Sequence, residues 1–150
     1  MPHPVIYRGD LEALLTEADS GTVPVYDNGE CARLVQLLCS EVGFTGRWQR
    51  GERVMDSPHL APGTVVANFK FVDGKWKYPN ERGHHTGIFL RFGGKPANGG
   101  PAEFTILDQY RGKLPGDSAK SVLSASFKAH KAWLDKPTNR ADEYYVVLVP

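Results

Sequence analysis

Residues 27–43 constrain this chain more than any other stretch. Asp27, followed three residues later by Glu30, fits a capping box. Leu34, Val35, Leu38 and Val42 then recur at helical spacing, and Gly43 is placed to end the helix. The pattern predicts an amphipathic helix whose apolar stripe must be buried against another element. A shorter helix is expected ahead of it over residues 10–18, with Leu11, Leu14, Leu15 and Ala18 on one side. Beyond Gly43 the character changes. Residues 64–71 are β-rich behind a Pro62-Gly63 turn, residues 86–92 are short and nearly all apolar, and residues 102–110 read as a third strand. Residues 144–149 read as a last strand, which the core would need to pair centrally. Residues 118–134 are expected to be helical, with Val122, Phe127 and Trp133 as the apolar positions. Asp73-Gly74 is a strong turn signal, but the WKYPN that follows is too irregular for a clean hairpin. Residues 19–26 and 93–101 read as loops. Helices placed before strands predict an α+β fold, N-terminal helices packed on a mainly antiparallel sheet.

A chain of 150 residues, 41% hydrophobic and 23% charged, suits one globular domain spanning residues 1–150. The formal net charge is +1 and the basic residues are scattered, which argues against nucleic-acid binding. No apolar run approaches the roughly 18 residues of a membrane span. The opening MPHPVIYRGDLEALL lacks the basic start and apolar stretch of a signal peptide. The chain is therefore expected to be made in the cytoplasm, and to leave, if it leaves, by a route that reads no N-terminal signal.

The two cysteines, Cys31 and Cys39, lie eight residues apart in one expected helix. Eight residues of helix rise about 12 Å, and a disulfide needs Cα atoms within roughly 7 Å, so the two cannot pair while the helix is intact. Cys39, among Leu38 and Val42, reads as core. Cys31 falls in or just past the first turn, where unpaired N–H groups and the helix dipole favour a thiolate. The same groups can hold the oxyanion of an acyl-transfer intermediate. The alternative is a buried structural cysteine.

A nucleophilic thiol needs a base, and the base needs an orienting group. His85 opens the strand that runs to Phe92. Strand alternation sends His84 to the opposite face, and Gly87, on the face of His85, leaves space for a helix to approach. His85 is thus the expected base and His84 the runner-up. Asp108, ending the next strand, can reach the imidazole and fix its tautomer, with Gln109 as the alternative. A zinc site lacks support: there is no C-x-x-C pair and no H-x-x-x-H spacing. FGGKPANGG lacks the phosphate-loop pattern, and no G-x-S-x-G elbow exists. Trp48, Trp76 and Tyr78 flank the expected site, where they either line a substrate groove or cover the edge of the core. No cofactor and no metal are implied.

These segments resemble a known superfamily. YDNGECARLVQLL is similar to the nucleophile helix of the NlpC-type and CHAP peptidoglycan hydrolases, whose fold is papain-like. APGTVVANF resembles their L-x-P-G-D strand entry, with Thr64 in place of the acidic residue. GHHTGIFL resembles the G-H-V-G-I-Y strand that begins with the catalytic histidine, which aligns His85 with the base. FTILDQY resembles the strand that ends in the third polar residue, here Asp108. The chain as a whole resembles the small amidase effectors of type VI secretion. That resemblance implies a peptidoglycan amidase with Cys31, His85 and Asp108 as catalytic residues, cutting the peptide stem or the D-Ala–diaminopimelate cross-link. It implies delivery by type VI secretion components, action in a recipient's periplasm and a cognate immunity protein. The alternatives are a protease, deamidase or acyltransferase built on the same residues, or a non-catalytic binding module.

Overall fold

The computed structural model describes residues 1–20, 26–27, 30–79, 81, 83–93, 103–109, 119–123 and 137–150. Asp10 caps the first helix, α1 (Leu11–Ser20): its Oδ1 accepts the Ala13 N–H at 3.0 Å. Leu14 and Ala18 are buried along it. The second helix, α2 (Cys31–Leu38), is shorter than its apolar spacing predicts. The expected capping box does not form. Asp27 lies in a turn at φ 50°, which is not the extended geometry of an N-cap, and its carboxylate pairs with Arg33 instead. Glu30 takes the N-cap position with extended backbone and no side-chain cap bond, so Cys31 is the first helical residue. Cys39 closes α2 rather than sitting mid-helix, and it is buried as expected. A 3-10 turn, Ser40–Val42, carries the apolar pattern on to Gly43, whose φ of 61° suits glycine.

Nine strands follow from the described residues: β1 (His3–Pro4), β2 (Gln49–Arg53), β3 (Val65–Asn68), β4 (Lys70–Val72), β5 (Lys75–Lys77), β6 (Thr86–Gly93), β7 (Glu103–Leu107), β8 (Ala119–Leu123) and β9 (Tyr144–Val149). Seven form one sheet in the order β1-β9-β3-β6-β7-β8, with β2 also paired to β9, and every pairing is antiparallel. The closing strand is internal, as its apolar run requires. The fold is α+β.

The strands depart from the sequence pattern in three places. Residues 119–123 are strand, not helix: they pair along β7 from Leu107↔Ala119 to Glu103↔Leu123. The hydrogen-bonding edge of β7 wins there over local helical spacing. Residues 124–134 of that expected helix lie outside the described residues, as do residues 94–101 of the glycine-rich loop. Second, β4 and β5 do form a tight hairpin, with Phe71 opposite Trp76. Asp73 (φ 51°) and Gly74 (φ 78°) supply the two left-handed residues of a type I′ turn. Third, β1 and β2 are short and polar, gave no periodic signal, and are strands because β9 pairs them.

The sheet is covered on both faces. Leu14, Ala18, Leu34 and Val35 of the helices pack with Val65, Ala67, Ile88, Leu90 and Val147. On the other face Val54 and Ala141 pack with Val66, Phe89, Phe104, Ile106 and Tyr144. Along β6, therefore, Ile88 and Leu90 face the helices and Phe89 faces away. The expectation that Gly87 makes room for a helix fails. The space at Gly87 belongs to β7: an added Cβ would come within 2.7 Å of the Leu107 carbonyl oxygen and 3.0 Å of Ile106 Cδ1. Gly87→Ala must push β6 and β7 apart and should destabilise the fold by about 1–3 kcal/mol. Urea unfolding measures this, and an unchanged midpoint would contradict the close packing.

Candidate active site

The antiparallel registers bring four strand ends together. β3 ends at Asn68, β6 begins at Thr86, β7 ends at Leu107 and β9 begins at Tyr144, with Ala67↔Thr86, Asn68↔Tyr144 and Ile88↔Leu107 as cross-strand partners. The residues just outside these ends, His85 and Asp108, are therefore neighbours. Helix α2 packs on β6 and sets its first residue, Cys31, beside them.

The contacts form a line. The His85 Nε2 atom is 2.6 Å from Asp108 Oδ2, a short charge-assisted hydrogen bond. With Nε2 so engaged, Nδ1 is the ring nitrogen left to share a hydrogen bond with the Cys31 thiol. His85 is 6% exposed and Asp108 1%, whereas Cys31 is only partly buried. Cys31 is thus the least buried member of the line. Asp108 rather than Gln109 contacts the imidazole.

Burial works against charge on both His85 and Cys31, yet both shifts favour the ion pair. At His85 desolvation lowers the pKa, but the hydrogen bonds to Asp108 and Cys31 outweigh it and raise the value to about 9. At Cys31 desolvation raises the pKa. The hydrogen bond and positive charge of His85, with hydrogen bonds from Tyr78 and the Thr86 backbone, bring it below the ordinary thiol value. Cys39 is the control within the same chain: buried and near Glu41, its thiol is pushed up to about 12.

His84 lies elsewhere. Its Nδ1 is 3.6 Å from Glu81 Oε1, and its backbone N–H donates to the Glu81 carbonyl. His85 reaches the cysteine although strand alternation was the wrong reason for choosing it, because both histidines precede the regular strand. Among the described residues, no three of His, Cys, Asp and Glu converge as a metal site would require.

Three residues escaped the sequence reading or were given another job. Asn68 is fully buried: its Oδ1 accepts the His85 N–H at 2.9 Å, and its Nδ2 donates to the carbonyls of Glu143 and Pro137. It fixes the His85 backbone, and the only hint was a poor strand former ending the apolar run VVAN. Gln109 donates from Nε2 to the carbonyls of Tyr26 and Glu30 and accepts the Tyr26 N–H, each at 2.8 Å. It ties the approach to α2 to the end of β7. Tyr78 sits with its hydroxyl 3.3 Å from Cys31 Sγ and its ring against Trp48 at 4.9 Å between centroids. Trp76 remains on the surface, 40% exposed.

The chain is similar to a solved structure of type 6 secretion amidase effector 2, at 23% identity over 89% of this chain and 92% of that one, with a TM-score of 0.66. At this identity the likeness is one of fold. No curated protein sequence matches the chain significantly. The model of the family described as domesticated amidase effector 2 matches residues 13–114, a span that holds Cys31, His85 and Asp108. That match covers more than half of the chain, which belongs to the domesticated amidase effector 2 family and is an amidase.

Proposed function

We propose that Cys31, His85 and Asp108 are the catalytic triad of a peptidoglycan amidase, and that residues 1–150 form one domain. The observation that carries this reading is the unbroken line of contacts from a partly open thiol, through a buried imidazole, to a fully buried carboxylate. Family membership supplies the reaction class. The substrate class follows the resemblance to peptidoglycan hydrolases: an amide in the peptide stem or in the D-Ala–diaminopimelate cross-link. Delivery by type VI secretion, action in the recipient's periplasm and protection of the producer by an immunity protein belong to the same reading. Among the described residues no helix is long and apolar enough to cross a membrane.

The chemistry is acyl transfer. The Cys31 thiolate attacks the amide carbonyl carbon, and the carbonyl electron pair moves to oxygen. Backbone N–H groups at the start of α2 stabilise that oxyanion. The intermediate collapses as the C–N bond breaks, and the His85 imidazolium gives its proton to the leaving amine. Water, deprotonated by His85, then attacks the thioester and frees the carboxylate and the thiol. Asp108 holds the ring in the tautomer that presents Nδ1 to sulfur and stabilises its positive charge.

Cys31→Ala should lower the release of new amines from purified sacculi by on the order of 10³-fold or more. His85→Ala should do the same, while His84→Ala stays within a few-fold of wild type. The reverse order for the histidines would move the base to His84, and wild-type activity in Cys31→Ala would remove the mechanism.

The reactive form is thiolate with imidazolium, which sets the sign of the pH dependence. As pH falls, activity should drop where the thiolate is protonated, below the ordinary thiol value. As pH rises, it should drop near 9, where His85 loses its proton. Asp108→Asn removes one of the contacts that raise the His85 value, so the basic limb of kcat/KM should move to lower pH. A basic limb unmoved by Asp108→Asn would contradict the coupling.

A further inference from the structure

The structure assigns to Tyr78 a catalytic role that rests on the triad reading: we infer that its hydroxyl is a side-chain donor to the oxyanion formed when Cys31 attacks a carbonyl. The first observation is position. Tyr78 Oη is 3.3 Å from the nucleophilic sulfur. In the tetrahedral intermediate the oxyanion is two bonds from that sulfur. A donor already touching the sulfur needs only to turn its O–H toward the oxygen.

The second observation is that the hydroxyl is held in place before reaction. Lys75, Trp76 and Lys77 are all exposed, and then the chain turns inward, leaving Tyr78 7% exposed. Its ring packs on Trp48, and the Trp48 indole N–H donates to the Val42 carbonyl at 3.1 Å. Two residues earlier, Trp76 stacks on the Arg50 guanidinium at 4.1 Å from the ring centre, with Arg50 also against Tyr145 at 4.7 Å. The strand that delivers Tyr78 is thus pinned to β2 and β9. Such a group pays little reorganisation when charge develops beside it.

The third observation is chemical state. Burial, and after it the adjacent Cys31 thiolate, push the Tyr78 phenol pKa well up, so the hydroxyl stays a donor throughout the active range. No proton need leave it. In the resting enzyme it donates to the thiolate. As the C–S bond forms and charge passes from sulfur to oxygen, the same O–H follows the charge. When the C–N bond breaks and the carbonyl reforms, the O–H returns to the thioester sulfur's surroundings with its proton unchanged.

A donor that serves only the resting thiolate would act differently from one that serves the oxyanion, and two probes separate them. Alkylation of Cys31 by iodoacetamide passes through no oxyanion. Acylation by p-nitrophenyl acetate passes through one whatever the natural substrate is. Both are measured on wild type and Tyr78→Phe, with Cys31→Ala as background. The expected result is a loss in Tyr78→Phe of about 10²-fold in turnover of sacculi and a clear loss in ester acylation, with alkylation at its plateau pH within a few-fold of wild type. The pH at which alkylation rises, if it stays below the ordinary thiol value, reports that the variant is folded and keeps the Cys31–His85 pair. Equal acylation rates for the two proteins would overturn the assignment, as would parallel losses in acylation and alkylation, which would make Tyr78 a thiolate stabiliser only. Sacculi that release nothing with wild type, while Cys31-dependent acylation still falls in Tyr78→Phe, would sink the substrate reading and leave Tyr78 standing.

Discussion

The contact between His85 Nε2 and Asp108 Oδ2 is the interaction on which the rest of the site depends. A carboxylate at 1% exposure is costly unless it is paired and hydrogen-bonded. The imidazolium is its pair, and the pairing keeps His85 charged although burial alone would neutralise it. That charge in turn holds the Cys31 thiol below its ordinary value. The line of charge runs outward, from a buried carboxylate through a buried imidazole to a cysteine that is only partly buried. The sheet exists at this end to bring the partners together. Neither His85 nor Asp108 is inside a strand; each lies one residue beyond one, and the antiparallel pairing of β6 with β7 makes these ends adjacent.

The two cysteines show how far placement alone decides chemistry. Both belong to one short helical stretch and both are free thiols. Cys31 begins α2 beside a cation. Cys39 closes it in the core, near Glu41, and its pKa rises to about 12. One helix thus presents a thiol of lowered pKa at its N-terminal end and a thiol of raised pKa at its other end. The position of Cys31 comes from the helix's late start: with Asp27 turned out of the N-cap position, Cys31 is the first helical residue rather than one inside the first turn.

Much of this was legible in the sequence, and the parts that were not have physical reasons. Helical spacing found α1 and α2, apolar runs found β3, β6 and β9, and His85 and Asp108 were named from the ends of strands. Local pattern failed where tertiary pairing decides. The edge of β7 recruits residues 119–123 as strand, and β9 recruits the polar β1 and β2. Periodicity overran α2 because a 3-10 turn keeps Val42 buried without continuing the α-helix. Alternation chose His85 for a reason that does not hold, since Phe89 faces away from the helices. Asn68 and Tyr78 could not be assigned from sequence, because their roles are set by partners 17 and 47 residues away. Gln109 was singled out for its chemistry, but its task is to anchor the approach to α2.

A thiolate–imidazolium pair in the resting enzyme is the central claim, and the ultraviolet absorbance of the thiolate tests it most directly. The difference between wild type and Cys31→Ser, followed against pH, isolates this one sulfur from Cys39. The contacts of Cys31 predict that thiolate absorbance is already present below the ordinary thiol range, and that in His85→Ala it appears only at higher pH. Absorbance that appears in wild type only at ordinary thiol pH, and is unchanged by His85→Ala, would contradict the pair.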